Sequence, residues 1–302
     1  MRHLVSIVDL TSEELEDILK LAEKLKEERY KGRITDYLKN KSLAMIFELP
    51  STRTRISFEV AMTDLGGHAL YLNWNDLQLG RGEPIKDTAR VLSRYVHAVM
   101  MRVRRHETIL EFAKYSTVPV INGLSDLEHP CQVVADLMTI REYKGDLRHV
   151  RLAWIGDGNN VCNSLILSSA LTGMEIVVCT PKGYEPRKEI VEKALEMGAK
   201  LEFESDPIRA VEGSDVIYTD VWVSMGQERE RKKRLKAFTG YQVSQEVVES
   251  AKTNVVVMHC LPAHRGEEIS EEVLEGEHSI VFDQAENRLH AQKAILLKLI
   301  GE

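Results

Sequence analysis

Chemistry-bearing residues are densest in the stretch Glu48-Leu49-Pro50-Ser51-Thr52-Arg53-Thr54-Arg55. The apolar run Leu43 to Phe47 before it reads as a buried strand. Ile56, Phe58, Val60, Met62 and Leu65 after it are spaced as the apolar face of a helix. Pro50 biases Leu49 toward extended backbone, which marks the boundary between the two elements. A helix start presents free N–H groups at the positive end of its dipole, and both suit an anion. The hydroxyls of Ser51 and Thr52 and the guanidiniums of Arg53 and Arg55 add donors for a phosphate or a carboxylate. A serine N-cap followed by solvated arginines is the plainer alternative. The strand–hydroxyl–Arg–hydroxyl–Arg–helix order favours an anion site.

Further candidates follow along the chain. Arg102 ends an apolar strand, Ala98 to Val103. His129-Pro130-Cys131-Gln132 comes just before a helix, where a neutral imidazole can donate to a substrate carbonyl or serve structure alone. Gly156-Asp157-Gly158-Asn159-Asn160 follows a strand and has two of the three glycines of a dinucleotide-binding turn. No acidic residue closes the next strand, where Cys179-Thr180-Pro181 stands, so the dehydrogenase fingerprint is weak. A tight turn and a strand-end ligand site both fit. Asp220, after a strand ending at Thr219, is placed to hold an amine or to cap a turn. His259-Cys260-Leu261-Pro262 also follows a strand, and Cys260 reads as a nucleophile, a zinc ligand or a buried thiol. His129, Cys131, His259, Cys260 and His264 lack structural-zinc spacing, so no metal is expected. Glu228 to Arg234 reads as the solvated face of a helix.

The elements that must position these residues form two α/β series. The 302 residues suit about two domains. In the first, Thr11 and Glu14 form a capping box for a helix. Strands are expected at 43–47, 69–72, 98–103 and 118–122, helices at 87–97 and 107–115, and a long loop at 73–87. A helix at 131–143 connects the halves. In the second, strands are expected at 150–155, 175–179, 200–203, 215–219 and 254–259, before a final helix at 284–300. The fold class is therefore α/β, with two domains that each hold a central parallel sheet flanked by helices. The first domain spans 1–145, with 284–302 packing back on it, and the second spans 146–283. Ser51, Arg102, His129, Gly156, Asp220 and Cys260 all lie just past strands, where open α/β sheets place ligands. The Arg-, Ser- and His-rich first half suits a phosphate with a carbonyl, and the second half suits an amino acid. Group transfer from a phosphorylated donor to an amine is the reading. A formal net charge of −7 argues against nucleic acid as the main partner. No apolar run is long enough for a membrane span. The N-terminus has no secretory pattern, and the four scattered cysteines fit a reducing, cytoplasmic location.

The same residues carry a resemblance. STRTR at 51–55, DTARVLSR at 87–94, HPCQ at 129–132, GDGNNV at 156–161, DVWVSMGQE at 220–228, HCLP at 259–262 and AENR at 285–288 occur in one order. The set strongly resembles the aspartate/ornithine carbamoyltransferase family over nearly the whole chain. Ser224-Met225-Gly226 and His259 to Pro262 match its ornithine-using branch. The resemblance implies transfer of the carbamoyl group of carbamoyl phosphate to the δ-amine of L-ornithine, giving L-citrulline and phosphate in arginine metabolism. It implies that Ser51, Thr52, Arg53 and Thr54 hold the phosphate, that Arg102, His129 and Gln132 hold the carbamoyl end, and that Arg288 assists. Asn160, Asp220, Ser224 and Met225 would hold the ornithine α-groups, and Cys260 and the Leu261 backbone would face the reacting centre. Arg53, Arg102, His129 and Cys260 become the catalytic set, with Cys260 positioning and relaying a proton rather than forming a covalent bond. No metal or organic cofactor is implied. A homotrimer, or a multiple of trimers, is implied, with Gln78 reaching a neighbouring active site. Arg55 becomes a supporting arginine. One departure is Glu83-Pro84-Ile85, where the family's loop usually reads Glu-Ser-Ile. A catalytically dead paralogue and a nicotinamide dehydrogenase are the rival classes.

Overall fold

The computed structural model describes residues 3–33, 35–224 and 226–301. The chain forms two compact units, Met1–Met138 with Glu286–Glu302, and Thr139–Ala285. Each is built on a parallel sheet, so each strand returns through a crossover and the central strands are covered on both faces.

The first unit contains α1 (Ser12–Tyr30), β1 (Ser42–Phe47), α2 (Thr52–Asp64), β2 (His68–Asn73), α3 (Ile85–Leu92), β3 (Ala98–Arg102), α4 (His106–Tyr115), β4 (Val120–Leu124) and most of α5 (Pro130–Lys144). Its strand order is β2-β1-β3-β4. The apolar runs in β1 and β3 explain their central place, since β1 is buried beyond Ser42 and β3 throughout. Edge strand β2 has no fully buried residue. Strand order reverses between β1 and β3, so the loops after these two strands open onto the switch point. The loops in question begin at Glu48 and Val103, and the Glu48 N–H donates to the Arg102 carbonyl across them at 2.9 Å.

The expected long loop at 73–87 is partly ordered into 3-10 turns at Trp74–Asp76 and Gln78–Arg81. Helix α3 runs over Ile85–Leu92, not 87–97. Pro84 is its N-cap and brings no side-chain acceptor, while the Glu83 carboxylate accepts from Thr88 Oγ1 at 2.6 Å. The helix stops early as the chain tightens past Ser93, where the Arg94 and Tyr95 N–H groups donate to the Val91 and Leu92 carbonyls three residues back, at 3.0 and 2.9 Å.

The second unit contains β5 (Arg151–Ile155), α6 (Asn160–Thr172), β6 (Glu175–Cys179), α7 (Lys188–Glu196), β7 (Lys200–Glu204), α8 (Pro207–Val211), β8 (Val216–Thr219), α9 (Arg231–Ala237), α10 (Gln245–Glu249), β9 (Val256–His259) and α11 (Glu271–Leu274). Strand order is β7-β6-β5-β8-β9, with the switch between β5 and β8. The last helix, α12, spans Val281–Ile300. From Glu286 onward it groups with the first unit.

Candidate functional site

At the switch point of the first sheet, Ser51 is the N-cap of α2 and its hydroxyl accepts from the Thr54 N–H at 3.2 Å. Thr52 is exposed and Arg53 half-buried. The Arg53 guanidinium has no hydrogen bond or ion pair with another described residue. Thr54 is fully buried, and its hydroxyl oxygen accepts from Arg102 at 3.4 Å and from Arg288 at 3.3 Å. Arg288 also donates to Gln132 Oε1 at 2.6 Å, and Gln132 Nε2 donates to Asp136 Oδ1 at 2.8 Å. Two buried guanidiniums thus meet at one hydroxyl, a cationic setting that suits an anion.

His129 is 4% exposed, just ahead of α5. Burial, with the Arg288 and Arg102 charges, holds its imidazole well below the ordinary value of 6.5. A neutral ring beside two cations can donate one hydrogen bond to a carbonyl oxygen without adding charge. The depressed value also fixes a pH trend. The unfolded chain takes up this proton below about 6.5 while the folded one does not. Its stabilising contribution is full above 6.5 and is lost as pH falls below that toward the folded value. Thermal melts between pH 7 and 5 should therefore lose stability more steeply for the native chain than for His129→Gln.

Around this cluster the remaining candidates sort clearly. Arg55 is exposed, pairs with Glu59 at 3.1 Å and lies 3.9 Å from the centre of the Tyr71 ring. It supports α2 against β2. Gln78 is exposed on its 3-10 turn and takes no part in the hydrogen bonds around Thr54. Cys131 is buried, its thiol pushed up to about 12, and it donates to the Asn122 carbonyl at 3.4 Å. It is an inert core thiol.

The second unit gathers its candidates at its own switch point. Gly156 has a positive φ of 141°, which favours glycine. A Cβ on Gly158 would lie 2.2 Å from the Pro186 nitrogen, so close packing requires the second glycine. The Gly156-Asp157-Gly158 turn is thus explained by backbone geometry and packing. Asn159 was not singled out from the sequence. It caps α6 by accepting from the Val161 and Cys162 N–H groups at 2.9 and 3.1 Å, and its amide donates to Asp220 at 2.7 Å. Asn160, the first residue of α6, is half-buried. Ligand atoms of Asp220, His259 and Cys260 all lie within 4.8 Å of one another. His259 is completely buried. Its Nδ1 accepts from the Leu261 N–H at 2.8 Å, so the ring proton sits on Nε2 and is donated to Glu268 at 3.0 Å. With both nitrogens engaged, His259 shapes the turn that carries Cys260 and Leu261. Leu261 holds a positive φ of 59°, a costly conformation for a non-glycine residue and one that clusters at functional sites. His259 and Glu268 were missed as a pair. His259 ends an apolar strand, but Glu268 stands in the largely polar run from His264 to Glu271, where nothing in the sequence marks it as buried.

The mixed-charge run 228–234 requires a correction. It is not uniformly solvated, because Arg234 is 4% exposed. Its Nε donates to the Trp222 carbonyl at 2.5 Å and its guanidinium pairs with Asp157. The Tyr184 and Phe238 rings pack against the same guanidinium, at 4.7 and 5.6 Å. Ser224 is half-buried and its N–H donates to Gln227 Oε1 at 3.0 Å. Met225 lies outside the described residues.

Two adjacent family models match. The carbamoyl-P binding domain of aspartate/ornithine carbamoyltransferase matches residues 2–142, and the Asp/Orn binding domain matches residues 148–299. The chain belongs to the aspartate/ornithine carbamoyltransferase family. Among its relatives, the ornithine carbamoyltransferase of Archaeoglobus fulgidus is 76% identical over 302 residues, all of this chain and 98% of that one. The Methanosarcina acetivorans ornithine carbamoyltransferase is 58% identical and covers 99% of both chains. In three dimensions, the ornithine carbamoyltransferase of Pyrococcus furiosus matches with a TM-score of 0.95 at 54% identity, over 99% of this chain and 97% of that one.

Proposed function

We propose that the chain transfers the carbamoyl group of carbamoyl phosphate to the δ-amine of L-ornithine, releasing L-citrulline and phosphate. The observation that carries this reading is the meeting of Arg102 and Arg288 on buried Thr54, near a neutral His129. The start of α2 and Arg53 take the phosphate end of the donor. Arg102 and His129 take the carbamoyl oxygen, where negative charge grows as the tetrahedral intermediate forms. Gln132 holds the carbamoyl amide and is itself held by Arg288 and Asp136. Asn160, Asp220, Ser224 and Met225 hold the ornithine α-groups, with Cys260 and the Leu261 backbone at the reacting end. The neutral δ-nitrogen attacks the carbamoyl carbon, the carbon–oxygen bond to phosphate breaks, and the amine proton passes by way of Cys260 to the departing phosphate, which leaves Cys260 as a thiol. Each of these groups binds, orients or moves a proton, and the scheme calls on no cofactor.

The purified protein is expected to form citrulline from carbamoyl phosphate and ornithine, with kcat/KM for ornithine at least about a hundredfold above that for aspartate or putrescine, a floor below the about 10⁴-fold that a site hydrogen-bonding its substrate's polar groups can supply. Preference for aspartate or putrescine overturns the acceptor assignment, and no turnover with any of them leaves the dead-paralogue reading standing. We place the enzyme in arginine biosynthesis in the cytoplasm, as a homotrimer in which the exposed Gln78 completes a neighbour's site. Light scattering tests the trimer. Mixed trimers of Gln78→Ala and Cys260→Ala chains, which would regain activity only if sites are shared, test the role of Gln78.

A further inference from the structure

We propose that the N-terminal segment, residues 3–9, belongs to the apparatus that holds His129, and that Glu128 is the positioning residue joining them. The proposal rests on the reading of His129 as the donor to the carbamoyl oxygen. Leu4 lies in parallel register beside Ile121. Its N–H donates to the Val120 carbonyl and its carbonyl accepts from the Asn122 N–H, both at 2.8 Å. The segment is thus laid along β4 at the sheet edge. The Asn122 side-chain amide donates to the Val5 carbonyl at 2.8 Å and to the Glu128 carbonyl at 3.4 Å. One buried amide therefore serves both the segment and the loop before His129.

Glu128 makes the second link. Its side chain is on a residue only 2% exposed, and Oε2 accepts from the Ile7 N–H at 3.1 Å. Ile7 opens a 3-10 turn, where a backbone N–H has no partner within the turn. A buried carboxylate is costly unless hydrogen bonds repay its lost hydration, so this one is committed to its place. The Glu128 backbone is committed as well. Its N–H donates to Ser125 Oγ at 3.2 Å, and its carbonyl accepts from the Ser125 N–H at 3.0 Å. Ser125 Oγ in turn lies 2.8 Å from His106 Nδ1. Glu128 is thus held at side chain and backbone, and the next residue is His129. Misplacement of a reacting group by about 1 Å can lower a rate about a hundredfold, so the tether acts on kcat rather than on ornithine binding.

The test compares Glu128→Ala with Glu128→Gln, alone and combined with His129→Ala. Glu128→Ala is expected to lower kcat at least tenfold with KM for ornithine within twofold. Glu128→Gln retains an acceptor oxygen for Ile7 and is expected to restore most of kcat. If Glu128 acts through His129, Glu128→Ala adds little to the loss already caused by His129→Ala. A kcat for Glu128→Ala within twofold of the parent overturns the proposal, as does an additive loss in the double variant. If His129→Ala alone leaves kcat unchanged, the reading of His129 fails first and the tether falls with it. Should Glu128→Ala not fold, Glu128→Asp, one methylene too short to reach Ile7, carries the same comparison.

Discussion

Arg53→Ala should lower kcat/KM for the carbamoyl transfer by about three orders of magnitude, roughly 4 kcal/mol of transition-state stabilisation. The size follows from where the guanidinium stands. Arg53 is the second residue of α2, at the end whose free N–H groups suit an anion. Its guanidinium has no hydrogen-bond or ion-pair partner among the described residues. Removing it therefore breaks no bond that holds the fold, and alanine favours the helix at least as well. On the proposed reading the loss falls on the phosphate, which gains charge as its bond to carbon breaks. Steady-state kinetics should show the drop while far-ultraviolet circular dichroism and the melting temperature stay put. Activity within tenfold of the parent would remove the phosphate from this end of α2. Arg55→Ala is the control, since Arg55 is occupied with Glu59 and Tyr71, and it should retain most activity.

The largest expected stability effect comes from Arg234→Leu. Breaking a buried pair by removing one partner costs about 3–5 kcal/mol, because the other charge is left uncompensated. Here that charge is Asp157, and the Trp222 carbonyl also loses its donor. Burial already pushes the Asp157 carboxyl up to about 6 despite the Arg234 charge. A raised carboxyl favours the folded state at low pH, and that contribution is lost as pH rises from about 3.9 through the folded value. Without Arg234 the carboxyl rises further, so the penalty should be smaller at pH 5 than at pH 8. Urea midpoints at the two pH values measure it, and Asp157→Asn added to Arg234→Leu should recover part of the loss. A penalty that does not change with pH would mean that lost packing, not the stranded carboxylate, sets the cost.

The sheets were legible in the sequence because their signal is local. Glu175–Cys179 is an unbroken apolar run after a single acid, and the strand has those bounds. The edges of other elements moved where the backbone changes its bonding pattern, as when α3 gives way past Ser93 to the shorter bonds from Arg94 to Val91 and from Tyr95 to Leu92. Arg234 was misread because it sits among charged neighbours in sequence. The chain gives no sign that one member of Glu228 to Arg234 turns inward to Asp157. The Arg288–Gln132 bond joins residues 156 positions apart, beyond the reach of any periodicity.

Sequence alone determined which chemical groups stand at the carboxyl ends of the strands. An apolar strand, a turn and a helix start form a local pattern, and the parallel topology turns that pattern into an address for ligands. The stretch from Ser51 to Thr54, Arg102, His129, Asp220 and Cys260 could all be placed in that way. Tertiary structure decided the state of those groups. It made His129 neutral, put the His259 proton on Nε2, left Arg53 without a partner among the described residues and committed Arg234 to Asp157. Charge state, tautomer and partner depend on burial and on distances between residues remote in the chain. Only packing sets those, so they could be read only once the chain was folded.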